Sequence, residues 1–357
     1  MDKNRINSLD MAKGIGIILV VVGHSTFLEE NVLTWISSFH MPLFFVLSGI
    51  LIRKKNEESK KFSELVKRKA KSILFPYLTF SIIYLLIDLV YLILKQDNRT
   101  IVDLQRSGIE AVTLYGMSVL WFLPALFFGE VAFLLTRKHS NRRNTILITV
   151  AMAVIASFGA PLFKEHYPVL QSMPIPWIGY FFTSILRGCF GYLFISAGYF
   201  VADYLNNKER VNKKELFLCV MCLLLSVATG LSNQRVDLHT LVINQPIIFF
   251  LAALSGSAFV ILICNNIKYS KALSYLGKNS LIIMVTHLDC KVMIVAINLS
   301  YFVKQYVPLA GQSVFYICLT FFVLGIELVI IYVMNTYLPF ILGRKRKKTS
   351  RHLKVVR

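Results

Sequence analysis

Apolar runs of about twenty residues recur along the whole of this chain, and a run of that length is what an α-helix needs to cross the hydrocarbon of a bilayer. A helix satisfies its backbone N–H and C=O groups internally, which lipid cannot do for it. Ten such crossings are expected, at 9–27, 38–52, 72–94, 116–136, 145–163, 177–203, 215–231, 245–266, 277–297 and 315–341. With 56% of 357 residues hydrophobic, the chain has too little polar surface for a soluble domain. The fold class predicted is all-α: a polytopic membrane helical bundle of about ten transmembrane helices.

A net charge of +20 invites a nucleic-acid reading, but the placement of the charge argues against it. If residue 1 is cytoplasmic, the inward-facing segments hold 31 Lys and Arg and the outward loops hold 6, with Arg187 and Lys291 inside apolar runs. That bias puts both termini in the cytoplasm, against an anionic leaflet. The expected location is therefore a bacterial-type plasma (inner) membrane, multi-pass, with membrane lipids as partners and no nucleic acid. Residues 1–343 form one transmembrane domain in this reading, and 344–357 a basic cytoplasmic tail. The basic start before the first apolar run resembles a signal peptide, but that run carries polar residues and lacks a small-x-small exit, so it reads as a retained helix. Cys219 and Cys222 form a CxxC inside a lipid-length segment with no second pair, which reads as structural.

Polar residues inside such runs persist where they face protein, water or a substrate path. The first run carries Asp10, Lys13 and His24. Lys13 and His24 are eleven residues apart, so they share a helix face about three turns, or roughly 16 Å, from each other. The second run opens with Phe39-His40-Met41-Pro42, and the connection 28–38 makes the two helices antiparallel neighbours. His24 and His40 then sit at one level and form the candidate site.

Further along, loop 53–71 is the richest in charge. It either sets topology or, through Arg68 and Lys71 at i,i+3 on one helix face, forms a phosphate site. Trp121 near an outer interface reads as an anchor or as part of the path. Arg187, mid-run, needs a partner, for which Asp88, Glu130 and Glu327 are candidates. His287 reaches mid-membrane, whereas His139, His166, His239 and His352 fall in loops or the tail and read as solvated.

No HExxH, GxSxG, P-loop or metal-spaced set of ligands is present, so no metal is expected. What remains is a basic inner mouth, suited to a phosphorylated donor, and outer histidines suited to general-base work near neutral pH. The spacing by itself describes a polar path through a membrane bundle. As a hypothesis that joins its two ends, acyl transfer across the membrane would have acyl-CoA presented from inside, a hydroxyl from outside, and His24 taking its proton. A transporter or flippase of sugar-linked or small-molecule substrates is the alternative, and the lack of an internal repeat counts against it.

These residues also resemble a known family. Arg5, Leu9-Asp10, Lys13-Gly14 and His24, then Phe39-His40-Met41-Pro42-Leu43-Phe44-Phe45 with Ser48-Gly49, match the acyltransferase family 3 membrane proteins. So do Arg68 with Pro76-Tyr77, Trp121-Phe122-Leu123, and Gly277-Lys278-Asn279-Ser280-Leu281 with His287, and the chain looks like the fucose-4-O-acetylase-like branch. The resemblance implies transfer of an acyl group, most often acetyl from acetyl-CoA, to a hydroxyl of a surface polysaccharide or glycan, alongside glycan-assembly proteins. It implies His24 as catalytic, with His40 beside it. Donor contacts fall to Lys13, Arg68, Lys71 and Tyr77, and the substrate path to Asp10, Trp121, Arg187 and His287. The family commonly has Arg where this chain has Lys13, and lysine cannot grip a phosphate bidentately.

Overall fold

The computed structural model describes residues 3–24, 29–94, 100–172, 177–205, 213–306 and 312–344. The tail at 345–357 and the side chain of His166 lie outside these residues. Apart from one isolated antiparallel bridge between Asp237 and Val242, every regular element described is helical. In chain order these are α1 (Lys3–Gly23), α2 (Glu30–Lys54), α3 (Phe62–Lys69), α4 (Phe75–Ile93), α5 (Ile101–Val112), α6 (Phe122–His139) and α7 (Arg142–Ser172). They continue with α8 (Trp177–Val201), α9 (Lys213–Ser232), α10 (Pro246–Asn266), α11 (Lys271–Lys278), α12 (Ser280–Thr286), α13 (Val292–Tyr306) and α14 (Gln312–Thr336).

Among the described residues, eight helices are long and apolar enough to cross a membrane. The expected crossings at 9–27 and 277–297 are not among them. The first of these is α1, a 21-residue helix that carries Asp10 and Lys13. The second is not one helix. Its apolar run divides at Asn279 and again after Thr286, and Lys291 adopts a positive φ of 63° before α13 begins. Hydropathy counts apolar residues and does not register a single left-handed residue, so the run looked continuous. The break is hydrogen-bonded rather than loose: Met293 N–H donates to the His287 carbonyl at 2.9 Å.

Helix α2 starts eight residues before the expected 38, because Leu33, Ile36 and Phe39 recur at helical spacing and bury one face. The connection to α1 is correspondingly shorter, and His40 lies in the interior of α2 rather than at its entrance. Helix α5 runs back along α4, so that Tyr77 near the start of α4 donates its hydroxyl to the Ala111 carbonyl near the end of α5 at 2.7 Å.

Helix α2 is central, packed against α8, α10 and α1. Its contact with α8 is a backbone-to-backbone approach, in which a Cβ on Gly49 would overlap the Ile195 carbonyl and one on Gly198 the Val46 carbonyl. Lipid supplies no hydrophobic drive between helices, so such close packing is what joins them. Leu78, Ile82, Phe158, Phe217 and Phe321 face outward and are exposed, as lipid-facing residues are. Gly198→Leu is expected to destabilise the bundle by about 1–3 kcal/mol, seen as a lower melting temperature in detergent. Gly325→Leu is the control, since a Cβ at Gly325 meets nothing within 4 Å.

Candidate functional site

Two cavities lie on either side of Met41, whose side chain lines both. The larger, about 450 Å³, is lined by His24, Ser37, His40, Trp121, Asp237 and His239 among others. Helix α1 supplies His24 just past its last turn, where its N–H still reaches the Val20 carbonyl at 3.2 Å. Helix α2 supplies His40 from its interior. His40 Nδ1 lies 2.8 Å from the Ile36 carbonyl. A carbonyl only accepts, so Nδ1 carries the proton and, in the neutral ring, Nε2 is the lone-pair nitrogen. His24 and His40 thus line one cavity, and His287, fully buried and outside that lining, has its ring centroid 5.1 Å from that of His24.

The far wall is the loop between α9 and α10, folded inward. Asp237 shapes it, accepting from His239 N–H at 2.8 Å and from the Thr240 hydroxyl at 2.7 Å. His239 stacks on Trp121 with 14° between the rings and 6.1 Å between centroids. Burial, and then the nearby Arg187 charge, push the His239 imidazole down to about 4, so it is neutral at physiological pH. The expectation that His239 is solvated is corrected here: the loop that carries it turns into the bundle. An aspartate two residues ahead of it was the available signal, because Asp at such a place closes a local turn.

Arg187 holds that wall in place. Its guanidinium donates to the Tyr115 carbonyl at 2.6 Å and to the His239 carbonyl, and lies over the Tyr115 ring at 4.2 Å and the Trp121 ring at 5.6 Å. Two of the three carboxylates considered as partners are engaged elsewhere. Glu130 takes Lys69 and the Ser48 hydroxyl, and Glu327 accepts from the Thr286 hydroxyl at 2.8 and 2.9 Å. Trp121 is 8% exposed, an interior wall rather than an interfacial anchor.

The smaller cavity, about 230 Å³, lies at the basic end of the bundle and is lined by Lys13, Lys55, Lys69, Glu57 and Glu130 with apolar residues such as Ile17, Phe44 and Met284. Lys69 Nζ bridges Glu57 and Glu130, at 2.9 Å from each. Lys13 is where the sequence put it. Arg68 and Lys71 are not in this lining: Arg68 pairs with Glu57 at 2.8 Å and Lys71 is exposed. The reason is helical phase. Lys69, Ser72 and Ile73 share the face that lines the cavity, across a wider π-helical stretch at Ala70–Leu74, and positions 68 and 71 are turned away from it. Tyr77 is buried against α5, and Asp10 sits 3.8 Å from Lys278, tying α1 to α11. A third cleft, about 390 Å³, shares Ser118 with the imidazole cavity and is lined by Asp88, Asp103, Glu110 and Asp289. Burial raises the Glu110 carboxyl, and the Arg106 charge opposes that rise.

A base-bearing cleft backed by a cationic cavity suits transfer of a group from an anionic donor to a hydroxyl. Comparison with known proteins points the same way. Nodulation protein NolL of Mesorhizobium japonicum (strain LMG 29417 / CECT 9101 / MAFF 303099) is 32% identical over 197 residues, which make up 49% of this chain and 50% of that protein. The chain thus aligns with about half the length of the curated relative it matches. No solved structure matches it significantly. A family profile described as "Acyltransferase domain" matches residues 6–332, nearly the whole chain including both cavities, and the chain belongs to that family of acyltransferases.

Proposed function

We propose that this protein moves an acyl group, acetyl in the first instance, from cytoplasmic acyl-CoA to a hydroxyl of an extracytoplasmic glycan. The observation that carries this reading is the pair of cavities meeting at Met41, one cationic and one lined by imidazoles. Lys13 and Lys55 supply positive charge for the phosphates of the donor, Lys69 being held between Glu57 and Glu130. The thioester then sits beside Met41, within reach of the imidazole cleft. His24 accepts the proton of the acceptor hydroxyl as its oxygen attacks the thioester carbonyl. The C–S bond breaks as the ester C–O bond is completed, and His24 returns the proton to the departing CoA sulfur. His40, fixed with its Nε2 lone pair towards the same cleft, accepts a hydrogen bond from a second hydroxyl of the sugar. Neighbouring sugar units have room in the acidic cleft beyond Ser118, where carboxylates accept from hydroxyls.

The test is transfer of labelled acetyl from acetyl-CoA by the purified protein in proteoliposomes, together with mass spectra of surface glycan from cells with and without it. Acetyl-CoA-dependent acylation that disappears on deletion is the expected result. Unchanged glycan masses and no label transfer would overturn the reading in favour of transport. Met41→Trp fills the junction and is expected to abolish transfer in the same assay.

A further inference from the structure

Behind His24, and outside the lining of the cleft, lies a further imidazole, His287, whose own hydrogen bonds define what it can do. His287 is fully buried, and its Nδ1 lies 2.8 Å from the Ile283 carbonyl. That bond fixes the proton on Nδ1, which leaves Nε2 as a lone pair in the neutral ring. Nε2 is buried and without a hydrogen-bond partner among the described residues, a costly state that a native structure does not keep without reason. The ring of His24 is the neighbour, 5.1 Å away between centroids and tilted by 50°. That separation accommodates one N–H···N bond between the rings, on the order of 2.9 Å between nitrogens.

The two rings are held very differently. His287 follows α12 at a break in the chain that neighbouring helices hold from several sides. Tyr84 of α4 donates to the Val285 carbonyl at 2.6 Å, Thr286 donates to Glu327 of α14, and Met293 at the start of α13 donates to the His287 carbonyl. His24 lies just beyond the end of α1, outside its regular turns. A fixed acceptor next to a less constrained ring sets the orientation of that ring.

We propose that His287 is the positioning residue for His24: its Nε2 accepts a His24 ring N–H, which leaves the other His24 nitrogen unprotonated and aimed at the acceptor hydroxyl. This rests on the reading of His24 as the base. When His24 takes the hydroxyl proton, the resulting imidazolium is stabilised through the same hydrogen bond, and His287 keeps its own Nδ1 proton on the Ile283 carbonyl. The arrangement does with a neutral imidazole what a carboxylate does for histidine in hydrolase triads.

Two substitutions separate positioning from packing. His287→Asn keeps an N–H that can donate to Ile283 and removes the acceptor at the Nε2 position. His287→Gln places an amide oxygen near that position and gives up the Ile283 bond. Expected for His287→Asn is a wild-type melting temperature, an unchanged KM for acetyl-CoA and a kcat lower by about 10²-fold. His287→Gln should recover most of that loss. Nitrogen-15 spectra of histidine-labelled protein, with the His24 signals assigned from His24→Ala, give a readout independent of turnover. The wild type should show a single His24 tautomer and His287→Asn a mixture. An unchanged His24 spectrum in His287→Asn, or a kcat that simply follows melting temperature across both variants, would overturn the proposal. A wild-type protein with one ordered His24 tautomer but no transfer would instead overturn the acyltransfer reading and leave the pairing standing.

Discussion

His24→Ala is expected to lower the acyl-transfer rate by about 10²–10⁴-fold, the range that a positioned general base contributes, without loss of membrane insertion or of donor binding. The second half of that expectation follows from geometry. His24 lines the imidazole cleft but not the cationic cavity, so removing it takes away the base and leaves Lys13, Lys55 and Lys69 where they are. Initial rates with labelled acetyl-CoA in proteoliposomes, beside equilibrium binding of acetyl-CoA, separate the two effects. A variant that transfers at the wild-type rate would remove His24 from the mechanism. One that neither transfers nor binds would show that the two cavities do not work independently.

Arg187→Met carries the second large effect, and its cause is mechanical. Arg187 is 1% exposed and donates to carbonyls on two separate segments, at Tyr115 and His239. Each buried acceptor left without a donor costs ~1–3 kcal/mol, and the loop that carries His239 keeps only weaker ties to the bundle, such as Val236 N–H on the Ser37 hydroxyl at 3.4 Å. Trypsin reports the outcome directly, because Arg235 is an exposed cleavage site in that loop. Faster cleavage at Arg235, a lower melting temperature and loss of transfer together are the expected result. Arg187→Lys should rescue only in part, since an ammonium lacks the planar fork that reaches two acceptors at once. Unaltered cleavage with lost activity would instead place Arg187 in contact with substrate.

Much of this architecture was legible in the residues themselves. Helix α1, with Lys13 in it and His24 just past its end, and its neighbour α2, with His40, follow from periodicity and the short connection between them. Three features did not follow, each for a definable reason. The run at 277–297 averages as apolar, and that average passes over Lys278, Asn279, Asp289 and Lys291, the polar residues that flank the breaks between α11, α12 and α13. Lys69 was passed over for Arg68 and Lys71 because a charge-rich helix offers several faces, and only packing against α6 selects the one with Lys69. His239 looked like a loop residue because it is one. What sequence could not supply is that Arg187, 52 positions earlier, draws that loop into the bundle.

Met41 has a consequence beyond chemistry. A protein that admits reagents from both faces of an energised membrane must not let protons run between them, yet its two chambers have to communicate once in every turnover. An unbranched thioether between the chambers answers both demands, because it can swing aside for a thin acyl chain and close again behind it. On the proposed reading, Met41, which lines both cavities, would join the two halves of the reaction and also keep the bilayer's electrochemical gradient from draining between them.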